Sequence, residues 1–223
     1  MPKHFQKDLE NLQRALLRLA GYVEDAVASA TAALRSGDID AANAVIRGDD
    51  EIDELENEIQ VECLKILALY QPVAIDLRRI SSVMMITTDL ERIGDLAVGI
   101  AERAIVLARP PFVSLTDQIG EMTDRALRML RESLDAFVNS DPATAVRVIR
   151  ADDEVDRHND ELIRRLVVGM KQSPELVEPS LSMFSAVRHL ERIADHATNI
   201  AEGVIYLVNG EIVRHHPEAL GSE

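Results

Sequence analysis

The feature that most constrains the fold of this chain is an internal duplication. The stretch VIRGDDEID begins at Val45 and its near-copy VIRADDEVD begins at Val148, 103 residues later. A second pair follows in the same order, because DLERIGD begins at Asp89 and HLERIAD begins 100 residues later at His189. A repeat of this length indicates two copies of one domain rather than a solenoid of short repeats.

The composition and the helix-ending residues predict three helices in the first copy. The chain is 47% hydrophobic and only 3% aromatic, with few glycines and prolines, which favours helix. We expect the first helix to span 5–36 and to end at Gly37, a residue suited to the left-handed position after a helix. Asp38 is suited to capping a second helix that ends near Tyr70. Pro72 then separates this helix from a third, which we expect to end near Ala108 before two prolines.

The second copy repeats this pattern, and together the copies predict an all-α fold. Asp141 is suited to capping a helix that has Pro142 at its first position, and the last helix should end near Gly210. Short loops make neighbouring helices antiparallel. We therefore predict two tandem three-helix bundles, made of six long antiparallel helices. Their expected bounds are 1–110 and 111–213, followed by a disordered tail at 214–223.

Carboxylates recur beside the apolar stripe of the third helix in each copy. At 100° per residue, the third helix places three of its acids within an arc of roughly 40° on one flank of the stripe. The equivalent helix of the second copy repeats this arrangement and adds one asparagine. These residues are Glu91, Asp95 and Glu102 in the first copy, and Glu191, Asp195, Asn199 and Glu202 in the second.

The middle helix of each copy carries a matching set of polar residues. These are Asp49, Asp53 and Glu56 in the first copy, and Asp152, Asp156 and Asn159 in the second. Like charges four residues apart destabilise a helix by about 0.2–0.5 kcal/mol per pair, so their repetition requires an explanation. Facing helices could supply four to six oxygens at one point, which suits hard or borderline cations. We therefore consider a metal site in each copy.

The alternative is that arginines neutralise these acids. Arg92 and Arg192 should project about 60–100° away from the carboxylates on a helical wheel, which weakens this alternative. Other cations, such as Arg78, Arg79 and Arg188, leave it open. His196 should point away from the carboxylate flank, and we interpret it as a surface residue or a residue that supports a ligand.

The overall charge and the single cysteine restrict the partners and the compartment. The formal net charge is −15, which disfavours nucleic acid and suits cations or a basic surface of another protein. Cys63 is the one cysteine and lies on an apolar stripe, so we expect core packing and an intracellular protein. The first residues lack a signal-peptide pattern, and no stretch approaches the ~20 apolar residues of a membrane span. Membrane contact should therefore be peripheral and made through partners.

The duplicated motifs DLERIGDLAVGIAE and HLERIADHATNIAE, with QPVAIDLRRI and VIRADDEVD before them, resemble the PhoU family over about residues 5–210. The resemblance implies six helices in two similar bundles and a cytoplasmic bacterial regulator of phosphate uptake. Such a regulator links the phosphate-specific ABC transporter to a PhoR-type sensor histidine kinase. It keeps the phosphate-starvation genes off when phosphate is plentiful.

The resemblance also implies metal binding through Glu/Asp-x-x-x-Asp motifs, with iron, zinc, manganese or magnesium as the ion. Those motifs fall on Asp49 and Asp53, Glu91 and Asp95, Asp152 and Asp156, and Glu191 and Asp195. The first copy departs from the family pattern, since Leu96 and Gly99 stand where His and Asn are usual. We therefore expect the second copy to hold the more complete site.

Two main functional interpretations remain at the level of sequence, beside a third in which the chain is an inert helical scaffold with salt-bridged acids. The first is a regulatory adaptor without catalytic activity, which is what the resemblance implies and the interpretation that we favour; the search for enzyme motifs found none. The second is a metal-dependent enzyme or a metal-storage bundle that uses the carboxylate clusters. Long bundles expose apolar flanks, so we also expect a homodimer, although no residue specifies its interface.

Overall fold

The structure, a computed structural model, describes residues 3–111, 113 and 116–210 and contains six long helices. Across these residues there is no strand, and one short 3-10 helix, Pro174–Leu176, precedes the last long helix. The predicted all-α fold is therefore confirmed. The helices are α1 Lys3–Ser36, α2 Ile39–Tyr70, α3 Ala74–Leu107, α4 Thr116–Asn139, α5 Pro142–Gln172 and α6 Val177–Asn209.

The helix ends follow the capping residues of the sequence. The Asp38 carboxylate accepts a hydrogen bond of 2.9 Å from the backbone N–H of Ala41 and so caps α2. Asp141 caps α5 in the same way, and Pro142 occupies the first helical position. Gly37 and Gly210 adopt φ angles of 71° and 77° after α1 and α6, as residues ending a helix in the left-handed conformation do.

The six helices form two three-helix units that share one continuous core. In the first unit α2 packs on α1 and α3, and in the second α5 packs on α4 and α6. The units meet where α3 packs against α6 and α1 against α4. At one end of the α3–α6 contact Arg78 donates a hydrogen bond to the Leu207 carbonyl, and at the other Arg103 donates one to the Ser185 hydroxyl. The two helices therefore run antiparallel, which leaves α2 and α5 on the outside.

The predicted division of the chain falls in the segment between α3 and α4, of which the structure describes only a part. The bounds 1–110 and 111–213 thus stay a prediction, and the predicted disordered tail lies outside the described residues. None of the helices in the described part of the chain combines the length and the apolar character that crossing a membrane requires.

Candidate functional site

The first carboxylate cluster lies where α2 faces α3. Its members are Asp49, Asp53 and Glu56 on α2 and Glu91 and Asp95 on α3. Gly94 allows this close approach, because a Cβ atom there would lie 3.2 Å from the Ile52 side chain and 3.5 Å from Asp49 Oδ1. Burial raises the pKa of Asp49, and the charges of Asp53 and Asp95 add to the shift. The carboxylates of the two helices therefore repel one another electrostatically.

Arg92 partly neutralises this first cluster, contrary to the helical-wheel expectation. Its guanidinium lies 3.4 Å from Glu91 Oε2 and 3.0 Å from Asp95 Oδ2. A long arginine side chain can bend back along its own helix, which a wheel of Cα directions does not represent. The Arg92 side chain is 57% exposed, so these ion pairs contribute little stability. The pKa of Glu91 is still raised, chiefly by burial and then by the charge of Asp95.

The second cluster occupies the equivalent position between α5 and α6 and is more deeply buried. Its members are Asp152, Asp156 and Asn159 on α5 and Glu191 and Asp195 on α6. Burial is the main cause that raises the pKa of Asp152 to about 7, and Asp195 and Asp156 add to it through their charges. Burial also raises the pKa values of Glu191 and Asp195. This site therefore holds several acids that resist carrying their negative charges together.

Three buried oxygen atoms of the second cluster have no hydrogen-bond partner among the described residues. They are Asp152 Oδ1, Asn159 Oδ1 and Glu191 Oε2. Arg188 satisfies only the other oxygen of Glu191, donating to Oε1 over 2.6 Å. An unsatisfied buried acceptor costs about 1–3 kcal/mol, and native proteins leave few of them. A cation or a bound water molecule would remove this cost.

The donor chemistry of both clusters suits a hard cation, which binds carboxylate and amide oxygens. The unsatisfied oxygens in the second cluster fit that requirement directly. In their present rotamers, no three His, Cys, Asp or Glu groups of the described residues converge closely enough to hold an ion. Binding would therefore require carboxylate side chains to rotate toward one another.

Three residues that the sequence assigned to the metal sites lie further along the helices. Glu102 and Glu202 follow Asp95 and Asp195 by seven residues, a displacement of about 10 Å at 1.5 Å per residue. Glu102 accepts a hydrogen bond from Arg103 over 3.0 Å.

Asn199 directs its amide nitrogen across the interface between the two units, 3.4 Å from Asp89 Oδ1. The structure thus gives Asn199 a contact between the units.

Sequence reasoning did not identify a polar contact between the units at His196. Its Nδ1 lies 2.9 Å from Asp89 Oδ1, and the two side chains are only 18% and 12% exposed. The expectation of a surface residue is therefore wrong, whereas the alternative, a residue that supports a ligand, stays a prediction. The sequence did contain a signal for this contact, namely a difference between the two copies: Asp89 aligns with His189, and Leu96 aligns with His196.

Gly99 belongs to the same interface. A Cβ atom at this position would lie 2.8 Å from His189 Nε2, so glycine leaves room for the imidazole ring of α6. Burial lowers the pKa of His189, with a further contribution from the positive charge of Arg103. The glycine at position 99 therefore allows close packing between the units.

Comparison with known proteins places this architecture in one family. The family model described as the PhoU domain matches the chain twice, over residues 16–104 and 119–204. The phosphate-specific transport system accessory protein PhoU homolog of Aquifex aeolicus is 41% identical over 209 residues, covering 94% of this chain and 95% of the relative. The homolog of the same name from Pseudomonas aeruginosa is 42% identical over 217 residues, covering 96% and 88%.

Solved structures agree with this assignment. The crystal structure of PhoU from Pseudomonas aeruginosa superposes with a TM-score of 0.89 at 40% identity, covering 93% of this chain and 100% of that one. The phosphate transport system regulatory protein PhoU from Streptococcus pneumoniae gives a TM-score of 0.88 at 31% identity, covering 94% and 99%. With two matched domains and relatives aligned over nearly their full lengths, the chain belongs to the PhoU family.

Proposed function

We propose that this chain is a cytoplasmic, non-catalytic adaptor that represses the phosphate-starvation response. In this role it links the phosphate-specific ABC transporter to a PhoR-type sensor histidine kinase, and it acts as a homodimer. The observation that carries the proposal is the family itself. Relatives named as accessory proteins of the phosphate-specific transport system align with 94% of this chain or more at identities above 40%.

The cellular test is alkaline phosphatase output in phosphate-rich medium, in the source bacterium with and without this gene. We expect deletion to derepress the phosphatase, and the intact chain to restore repression. Unchanged output in a strain that lacks every copy of the gene would contradict the proposal. An enzyme or a storage protein would instead be revealed by metal-dependent hydrolysis of phosphate esters or by oxidation of ferrous iron in the purified chain.

We also infer that the two carboxylate clusters hold metal ions. The first would use Asp49, Asp53, Glu56, Glu91 and Asp95, and the second Asp152, Asp156, Asn159, Glu191 and Asp195. A bound iron, zinc, manganese or magnesium ion would supply the positive charge that lets these carboxylates stay ionised side by side. The acids of the two facing helices would hold the ion between them. Cation loading would thus change the charge that each outer face presents to a partner.

The second cluster should bind more tightly than the first. Its three unsatisfied buried oxygens gain a partner on binding, whereas Arg92 already occupies both Glu91 and Asp95 in the first cluster. Burial also strengthens the attraction between a cation and a carboxylate, because the effective dielectric constant falls.

Calorimetric titration of the chelator-treated chain with manganese tests this order. We expect D152N/E191Q to remove the tighter binding event and D49N/E91Q to remove the weaker one. The two pairs change the same residue types at equivalent positions, so each controls for the other. Equal losses from both pairs would contradict the asymmetry, and the absence of any saturable binding to the parent chain would contradict the metal sites.

A further inference from the structure

A groove of about 790 Å³ runs between α1 and α2, on the edge of α2 that faces away from the first carboxylate cluster. Its floor is apolar and is formed by Leu12 and Ala15 of α1 and Ile59 of α2. Val61 stands at its edge with 65% of its surface exposed, and Leu64 lies one turn further with 56% exposed. The groove therefore offers a buried apolar floor and an exposed apolar margin.

Acidic side chains line the α2 side of this groove. Glu54, Glu58 and Glu62 recur every four residues, which places them in one row along the helix. Glu58 pairs with Arg18 at 3.5 Å and Glu62 pairs with Lys65 at 2.9 Å. Both cationic side chains are more than half exposed, so these pairs contribute little stability and are easily exchanged. The row presents negative charge directly beside an apolar floor.

The second unit does not reproduce this surface. At the 103-residue offset of the duplication, Glu54 corresponds to Arg157, Val61 to Arg164 and Glu62 to Arg165. Over their full lengths α2 carries nine acids and two bases, while α5 carries six of each. The negative apolar groove is thus specific to the first unit and is not a general consequence of the fold.

We propose that the α1–α2 groove docks a basic amphipathic helix of a partner protein. An apolar helix face would cover Leu12, Ile59 and Val61, and lysines or arginines flanking it would meet the row of glutamates. A second copy of this chain fits less well, because a symmetric α2–α2 contact would place each glutamate row against its own copy. The proposal goes beyond the regulatory role above, since it does not depend on the metal sites or on which protein supplies the helix.

The test uses the full chain and a labelled synthetic peptide made of leucine and lysine, with leucines on one face of its helix and lysines on the other. Fluorescence anisotropy should give saturable binding at one peptide per chain. We expect E54R/E62R to weaken this binding at least tenfold. The control E121R/D135R, which changes the net charge equally at exposed acids of α4, should leave it within twofold. Circular dichroism of both variants verifies the fold.

Photoreactive leucines in the same peptide should crosslink to α1 and α2. Equal weakening by both variants, or equal affinity for a peptide with glutamates in place of the lysines, would overturn the proposal. Crosslinks confined to other helices would also overturn it. Sedimentation of the chain alone tests whether a second copy of this chain occupies the groove instead. Self-association that only E54R/E62R abolishes would identify a second copy in the groove and would exclude the partner helix.

Discussion

At the scale of single residues, the free-energy cost of holding negative charges close together is greatest at Asp152. Burial and the nearby charges of Asp195 and Asp156 raise its pKa to about 7, against 3.8 for an ordinary aspartate. Glu191 adds a buried oxygen that has no hydrogen-bond partner in the described part of the chain. Without a cation, the chain therefore keeps at this position a charge that the unfolded state would accommodate more easily.

This raised pKa has a definite consequence for stability as a function of pH. Between the unfolded and folded pKa values the folded state binds more protons, so its stability falls as the pH rises from about 4 to about 7. Above this range the cost of ionised Asp152 is fully present. In chelator, we expect D152N to raise the free energy of unfolding by about 1–2 kcal/mol at mildly alkaline pH, a figure reduced for solvent screening.

Urea denaturation of the parent chain and of D152N, in chelator at several pH values, measures this difference. The gain should shrink as the pH falls toward 4, because both states of the parent chain then bind the proton. D153N changes an exposed neighbour whose charge contributes less to the raised pKa of Asp152 than burial or the charges of Asp195 and Asp156, so its gain should be much smaller at every pH. A D152N chain that is less stable than the parent at alkaline pH would show that another interaction of the carboxylate outweighs the cost of its charge.

At the scale of helices, the sequence predicted the elements well and their contacts less well. Caps such as Asp38 and Asp141 act within a few residues, so local patterns contain their positions. A helical wheel also separates the core flank from the solvent. It cannot indicate which flank meets the second unit, because α3 and α6 come together only through the tertiary fold. The burial of His196 and the packing role of Gly99 were not predicted for this reason.

The α3–α6 contact leads to a stability prediction that a helical wheel of α3 alone could not give. G99A places a Cβ atom 2.8 Å from His189 Nε2, so the ring must move within a packed interface. We expect a loss of about 1–3 kcal/mol in the free energy of unfolding, the usual cost of overpacking. In an H189A background the same change should instead stabilise by about 0.5–1 kcal/mol, because alanine favours helix over glycine.

Gly203 provides a matched control for this experiment. It is buried in α6, yet a Cβ atom there would have no heavy atom within 4 Å apart from neighbouring backbone. G203A should therefore stabilise the chain through helix propensity alone. Thermal or urea denaturation of the four variants forms a double-mutant cycle with this control. A G99A chain as stable as G203A would show that His189 leaves the interface without cost.

At the scale of the whole molecule, duplication has produced two units with one fold and different surfaces. The first unit has the more exposed carboxylate cluster, partly paired with Arg92, and the acidic groove beside α1. The second has the more deeply buried cluster, with oxygens that lack partners among the described residues, and an outer helix with balanced charge. The net charge of −15 acts on both and opposes compaction through self-repulsion, which salt screens.

Screening and specific cation binding can be separated in one stability measurement. Sodium chloride should stabilise every variant modestly, because it weakens repulsion throughout the molecule. Manganese at the same ionic strength should stabilise the parent chain further, by about 2.7 kcal/mol at a concentration of a hundred times the dissociation constant. D152N/E191Q should lose most of this additional gain, while D49N/E91Q keeps most of it. If sodium chloride alone reproduces the effect of manganese, the clusters respond only to general screening. If manganese acts beyond it and D152N/E191Q removes that additional gain, the acids of α5 and α6 form a cation site.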